Sequence, residues 1–440
     1  MNKVFKNASW IVGCKIAQSL LNLIIGMLTA RYLGPSNYGI LSYVSSVIAF
    51  ALPIMQLGLN QTIVKEFVDN PDKEGKILGT ALLFNVVSSL FCMFGSILFV
   101  LFANAGETET LIICVLYSFT LLFQATEMTQ YWFQAKLLSK YPSIASLIAY
   151  VIVACYKVYL LISGKSVTWF AFSNVLDYLI ISLILVIIYL KKSNEKLSID
   201  FKFGIKMLSR SKYYIIPSLM VVIFQHTDRI MIKEMLGTTE TGLYSAAVTC
   251  VGITGFVFTA IIDSFRPVVL EDKSLDNVRY EQRVIQLYSI IIYLSLAQSV
   301  VLSVFSKPIV YILYGSEYFG SVGILVVSAW YILFSYFGSV RNVWILAEGL
   351  QKYLLPINIS GAAVNIVLNY LLIPLMGAVG AAVATLITQF FTNVIIGFMI
   401  KPIRHSNMLM FKGFNPSPLI SYAKNTIHSL KVKFKCKNNS

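Results

Sequence analysis

Lys15, Glu127, Lys157, Asp177, Asp228, Arg229 and Arg341 are ionisable side chains set inside runs of roughly twenty apolar residues. An ionised group at a bilayer centre costs about 2.5–3.5 kcal/mol, so seven facing lipid would cost about 20 kcal/mol, more than a typical folding free energy. Most must therefore turn inward, where cations can hold an anionic ligand and acids can pair with them or take up a cation. Their neighbours follow helical spacing. Lys15, Ser19, Asn22 and Gly26 form one stripe, and Gln124, Glu127, Gln130 and Gln134 form another. In "FQHTDR", Gln225 and Arg229 share a face while Asp228 points about 100° away, so the adjacent charges need not satisfy each other. Asp177 follows Asn174 by about one turn, and Arg341 stands beside Asn342.

Bland readings stand beside these. Lys15 and Arg341 are either cleft cations or snorkelling anchors near the inner boundary, and Lys157 is expected to snorkel outward. Arg229 either awaits an external anion or closes an interhelical salt bridge. The glutamine stripe is a structural seam or part of a transport path. His226 is expected to be neutral and hydrogen-bonded, and Asp263 to be an interfacial cap.

These charges need long helices to hold them. The chain has 440 residues, 57% hydrophobic and 12% charged, far from the roughly one-quarter charged of soluble proteins. Twelve apolar runs emerge, with cores at 9–30, 39–63, 78–103, 110–133, 142–163, 167–190, 213–236, 243–264, 284–305, 320–346, 354–374 and 378–400. The expected class is an all-α integral membrane protein with twelve transmembrane helices. The first run follows Lys3 and Lys6 but is too long for a signal peptide and lacks a small-residue cleavage site, so it reads as a retained helix. Five cysteines lie in apolar runs and Cys436 in the tail, so no disulfide framework or CxxC metal site is expected.

Lys and Arg concentrate in segments 64–77, 134–141, 191–212, 265–283 and 401–440, whereas the opposite turns hold Arg31, Lys165, Lys233 and Lys307. Both termini are therefore expected on the cytoplasmic side. This asymmetry accounts for the net charge of +15 without nucleic acid, and an anionic leaflet is the expected neighbour. The stretch "KVKFKCKNN" is expected to lie on headgroups or stay disordered.

The chain also repeats itself. "ARYLGPSNYGILSY" (30–43) and "KEMLGTTETGLYSA" (233–246) share a Leu-Gly bend, a second Gly and a closing Ser at one common spacing. Each reads as a helix stop and restart, with Gly34 or Gly237 able to take a left-handed C-cap. Lys140-Tyr141 and Lys352-Tyr353 are a second echo. A six-helix unit used twice gives two lobes of one orientation, a parallel repeat. The expected boundaries are 1–200 for helices 1–6, 201–400 for helices 7–12 and 401–440 for a basic cytoplasmic tail. In "GAVGAAVAT", small residues recur every four positions and let helices approach closely.

With "HTDRIMIKEMLGTTETGLYSAA", "LYGSEYFGSVGIL" and "LIPLMGAVGAAVATLITQF" added to the first bend, residues 5–400 resemble the multidrug/oligosaccharidyl-lipid/polysaccharide (MOP) flippase superfamily, and within it the Wzx-type flippases of O-antigen and capsule repeat units. The resemblance implies two six-helix lobes and export of an undecaprenyl-pyrophosphate-linked oligosaccharide. It also implies membrane lipids around the chain and a polysaccharide polymerase complex as a candidate partner.

A pyrophosphate passing lipid needs cationic partners, and Arg binds phosphate oxygens bidentately. Lys15, Asn22, Arg229 and Arg341 are accordingly the expected substrate-binding residues, and Glu127, Asp177 and Asp228 the ion-pairing or coupling acids. No cofactor or metal is expected: "SGKS" at 163–166 lacks the leading Gly of a phosphate loop, since Tyr159 stands there, and the histidines at 226, 405 and 428 are scattered. A glycosyltransferase or polymerase would bring a soluble domain or a long outer loop with acids. The nearest rival is a cation-coupled drug exporter of the same superfamily; helix 1 here offers Lys15 and no acid, which favours an anionic cargo. A lipid II flippase usually has extra helices, and a membrane scaffold would not need buried charges.

Overall fold

A backbone in lipid must satisfy its own hydrogen bonds, which helices do within one segment. Among the described residues of the computed structural model, every regular element is helical. The structure describes the backbone of residues 3–193 and 195–417 and, within that range, side chains at 13, 14 and from 17 onward. In chain order the helices are α1 (Lys3–Met55), α2 (Ile63–Asp69), α3 (Glu74–Ala103), α4 (Thr108–Thr126), α5 (Thr129–Ala135), α6 (Lys140–Ile162), α7 (Val167–Lys192), α8 (Phe201–Ser211), α9 (Ile215–Leu236), α10 (Thr238–Gly252), α11 (Gly255–Leu275), α12 (Asn277–Val304), α13 (Ser306–Tyr314), α14 (Ser321–Ala347), α15 (Leu354–Met376), α16 (Ala378–Phe390), α17 (Ile396–Met399) and α18 (Arg404–Gly413). A π-helical turn, Phe391–Ile395, joins α16 to α17.

Ten segments are individually long and apolar enough to cross a bilayer, and α10 with α11, bent by 42°, makes an eleventh. The first of the ten, Ala17–Met55, holds two of the expected runs, because α1 breaks at Gly34 (φ 70°, ψ 169°) into arms of residues 3–33 and 35–55. All twelve apolar runs are thereby placed on helices.

The duplication is visible in the backbone. Gly237 (φ 94°, ψ −176°) repeats the bend of Gly34. This differs from the left-handed cap expected from sequence, whose ψ is near +47°. The bend occupies the region that essentially only glycine enters. Further residues with positive φ pair between the halves: Gly106 with Gly315, Gly164 with Gly377, and Leu137 with Gly349. Leu137 and Gly349 have the same spacing as Lys140 and Lys352, so the sequence echo marks a conserved turn geometry in which one copy carries leucine at φ 55°.

The chain divides into two compact units: residues 1–246 with 311–319, and residues 247–310 with 320–440. In the first, Tyr43, Val44, Leu121 and Phe170 pack one apolar core, and Phe67, Trp132, Phe133 and Tyr189 another. The segment 311–319 docks on the first arm of α1, with the Tyr318 hydroxyl donating to the Ala30 carbonyl at 2.7 Å. The bends also pack reciprocally. A Cβ on Gly39 would lie 1.8 Å from the Thr238 carbonyl oxygen, and one on Gly242 would lie 1.9 Å from that of Pro35. Beside them, the hydroxyls of Ser36 and Thr238 are 2.9 Å apart.

The long basic connection after α7 is not a loose loop. Glu195 accepts from the Gly75 N–H at 2.6 Å, the Asp200 N–H donates to Thr80 Oγ1 at 3.0 Å, and Arg210 pairs with Glu66 at 2.8 Å. In the second unit, Phe258 stacks on Tyr336 with ring centroids 3.8 Å apart, among Leu287, Val340 and Trp344. Helix α18 docks there too: Ser406 meets the Tyr288 hydroxyl at 3.0 Å, and Asn407 Nδ2 donates to the Val394 carbonyl at 2.7 Å. The "KVKFKCKNN" stretch lies outside the described residues.

Candidate functional site

Inside the first unit, the two arms of α1 and helices α4, α6 and α7 enclose a cavity of about 320 Å³. Asn22, Gln124, Lys157, Asn174 and Asp177 contribute its polar groups, with Tyr117, Tyr150 and Tyr178 around them. Spacing explains the convergence: Asn174 and Asp177 lie about one turn apart on α7, and Asn22 is the inward position of its stripe. Lys157 is turned into this cavity, its Nζ 3.5 Å from Asn174 Oδ1, which corrects the expectation that it snorkels outward. Asp177 Oδ1 is buried and has no hydrogen-bond partner among the described residues.

Glu127 sits where the span breaks between α4 and α5. Threonines flank the break and bond backward to the chain, Thr126 Oγ1 to the Phe123 carbonyl at 2.6 Å and Thr129 Oγ1 to that of Thr126 at 2.7 Å. Such local bonds compete with the helix ladder. The glutamine stripe therefore does not run along one continuous helix. Glu127 is close enough to Asp177 for their charges to repel.

Asp228 and Arg229 go to different partners on α10, as their angular separation requires. Tyr244 donates to buried Asp228 at 2.5 Å, and Arg229 Nε donates to Ser245 Oγ at 3.2 Å. Arg229 Nη1 also lies 3.5 Å from His226 Nδ1, which in turn is 3.2 Å from Ser46 Oγ. An Arg can only donate, so this contact needs a neutral imidazole with Nδ1 as acceptor. Among the described residues Arg229 has no carboxylate partner, and the salt-bridge reading of it is not realised. The side chain of Lys15 lies outside the described residues.

Arg341 belongs to the second unit. It is 4% exposed, so it does not snorkel. Its Nη1 donates to the Thr392 carbonyl at 2.6 Å and its Nη2 to Asn393 Oδ1 at 3.0 Å, both in the π-helical turn. Its Nε is buried without a hydrogen-bond partner among the described residues. A Cβ on Gly338, one turn before Arg341, would lie 2.3 Å from Asn393 Oδ1, so α14 and that turn meet at bare backbone.

Sequence reasoning missed Lys233, which it used only as a marker of sidedness. Lys233 is 4% exposed, pairs with Glu107 at 2.8 Å and lies 5.0 Å from the Tyr43 ring centroid. Beside it, Tyr43 donates to Asn104 Oδ1 at 2.8 Å and Asn104 Nδ2 to Glu234 Oε1 at 3.0 Å. Partial burial works to raise the Glu107 carboxyl, but hydrogen bonds from Lys233 and Thr110 and the Lys233 charge outweigh it and hold the group below the usual carboxylate range. The available signal was the acid pair Glu107 and Glu109 in a short turn opposite Lys233.

Solved structures share this duplicated helical fold. A multidrug resistance MATE family transporter of the MOP superfamily, inward-facing, matches with a TM-score of 0.67 at 14% identity over 90% of this chain and 96% of that one. The lipid II flippase MurJ, inward closed, matches with a TM-score of 0.70 at 15% identity over 94% and 92%. A MOP superfamily transporter from Pyrococcus furiosus matches with a TM-score of 0.61 at 14% identity over 94% and 96%. At these identities the likeness is one of fold: all-α, twelve spans, two lobes. No curated protein matches the sequence. Residues 4–271 match the model of the polysaccharide biosynthesis protein family, and the chain belongs to that family, a multi-pass membrane protein with the MOP superfamily fold.

Proposed function

We propose that the protein flips an undecaprenyl-pyrophosphate-linked oligosaccharide across the cytoplasmic membrane for O-antigen or capsular polysaccharide assembly. It does so by alternating access, with both termini cytoplasmic, lobes of residues 1–200 and 201–400, and a polysaccharide polymerase as partner. The observation that carries the reading is Arg229, an intramembrane cation with hydroxyl and imidazole neighbours and no acid of its own among the described residues. Such a group has unspent capacity for phosphate oxygens. Lys15 and Asn22 on α1 serve the same headgroup, as does Arg341 in the other lobe. Asp228 positions α10 through Tyr244, while Asp177 and Glu127 take a coupling cation. The test is Arg229→Glu in a flippase-null strain. Loss of surface glycan at normal membrane level is expected; full glycan assembly by the variant removes Arg229 from the route.

A second reading has its own support. The Asp177 oxygen, without a hydrogen-bond partner among the described residues and set in a polar cavity, is a place where H⁺ or Na⁺ can bind, as a cation-coupled exporter requires. Drug resistance conferred on an efflux-deficient host, without rescue of glycan assembly, selects that alternative.

A further inference from the structure

Residues 195–200, between α7 and α8, carry no helix. They lie as a strap along the first turns of α3 and meet it at alternate positions, the periodicity of extended chain. A Cβ on Gly75 would lie 2.2 Å from the Lys196 carbonyl oxygen, and one on Gly79 would lie 2.4 Å from that of Ser198. The Ser198 N–H donates to the Gly75 carbonyl at 3.2 Å, and the Asp200 N–H to Thr80 Oγ1 at 3.0 Å. With 196, 198 and 200 turned to α3, the residues that alternate with them face away: Leu197, Ile199 and Phe201 are 42%, 54% and 62% exposed. Ile205, one turn further along α8, is 65% exposed. From Leu197 to Phe201 this apolar ladder spans about 13 Å at ~3.3 Å per residue, close to the ~15 Å of hydrocarbon in one leaflet.

At its upstream end the strap walls a cavity of about 610 Å³, lined by Lys136, Lys191 and Lys192 with Glu74, Glu195 and Trp132. Both acids are committed to the protein. Glu74 pairs with Lys136 and accepts from Trp132 Nε1 at 2.7 Å, and Glu195 accepts from the Gly75 N–H at 2.6 Å. Lys191 and Lys192 are exposed, and neither has an acidic partner among the described residues. Lys192 Nζ lies 4.9 Å from the Tyr141 ring centroid, which leaves its donors available. Basic pockets at the ends of membrane helices hold anionic headgroups. Here the pocket opens onto a ladder one leaflet deep, so head and chain of a single molecule are both provided for.

We infer that the strap is a binding site for one anionic phospholipid, its phosphate at Lys191 and Lys192 and an acyl chain along Leu197, Ile199 and Phe201. Neither half specifies this ligand alone. The lysines by themselves would take any phosphate, and the ladder by itself would take any lipid.

The test is lipid binding to the purified full chain, stripped of lipid and followed by native mass spectrometry, with phosphatidylglycerol and phosphatidylcholine of identical chains. The tightest site of the wild type should prefer phosphatidylglycerol by about thirtyfold, the worth of two lysines beside an anionic lipid. Lys191→Gln with Lys192→Gln should erase that preference, while Lys191→Arg with Lys192→Arg, which keeps the charge, should retain it. Ile199→Ser should weaken both lipids by about tenfold and leave their ratio unchanged. Equal affinity of wild type for the two lipids, or a preference that survives the glutamines, overturns the inference. Displacement of phosphatidylglycerol by inorganic phosphate at equal concentration also overturns it and makes the pocket a phosphate site. Displacement by equimolar undecaprenyl diphosphate overturns it in favour of the cargo.

Discussion

Replacing Gly39 with alanine puts a methyl group where the structure has a carbonyl. The added Cβ would sit 1.8 Å from the Thr238 oxygen and 2.9 Å from the Gly242 nitrogen, both backbone atoms that cannot rotate away. Relief requires the two bends to separate. Overpacking of this kind costs about 1–3 kcal/mol, which shifts an equilibrium between apposed and separated bends by about 5–150-fold. Without the close approach the sign would reverse, since alanine in a helix interior is favoured over glycine by about 1 kcal/mol. The assay uses Ser36→Cys with Thr238→Cys, whose native hydroxyls are 2.9 Å apart, in a background lacking the native cysteines. Disulfide formation under mild oxidation reports the apposed state. Gly39→Ala should slow the cross-link by about 5–150-fold. An unchanged rate together with a raised Tm would refute the argument.

Glu107→Gln should lower stability by about 1–2 kcal/mol, less than the ~3–5 kcal/mol of a fully buried pair because Glu107 is half exposed and Glu234 is a second partner for Lys233. The folded-state carboxyl is held low, so its contribution is complete above the unfolded value of about 4.3 and fades as pH falls through the folded one. Wild-type and variant melting curves should therefore converge in acid; a gap that persists there contradicts the ion-pair account. Leu137→Gly relieves a left-handed leucine whose side chain is largely exposed, so Tm should hold or rise by an amount worth up to about 1 kcal/mol, whereas Gly349→Leu should lower it. Arg341→Met leaves the Thr392 carbonyl and Asn393 without their donor and should destabilise by about 1–3 kcal/mol. Lost glycan assembly with an unchanged Tm would instead point to direct contact with cargo.

The spans were legible because length and apolarity suffice to identify a membrane helix, and the repeat because glycine is needed at both bends. The separate partners of Asp228 and Arg229, Tyr244 and Ser245, are consistent with their helical angle. Other features depended on packing that sequence does not carry. The α4–α5 break falls at Glu127 between Thr126 and Thr129, and the spacing of the glutamine stripe alone does not mark it. Lys157 lies near a span end, where snorkelling is always available, and only the position of α7 turns it inward. Arg341 read as a partner for cargo or a boundary anchor, yet its guanidinium is bonded to a π-helical turn that no periodicity announced. Lys233 looked like a surface charge because burial depends on residues far away in the chain.

Gly39 touching Thr238 while Gly242 touches Pro35 has the form of an isologous interface, the kind that two identical subunits make across a two-fold axis. Joining both copies in one polypeptide releases them from identity. At the spacing that pairs Gly34 with Gly237, the counterpart of Arg229 is Gly26 and that of Lys233 is Ala30. A symmetric dimer would have to place such cations twice or not at all, whereas the fused chain keeps the reciprocal glycine contacts of its bends and carries Arg229 and Lys233 in one copy only.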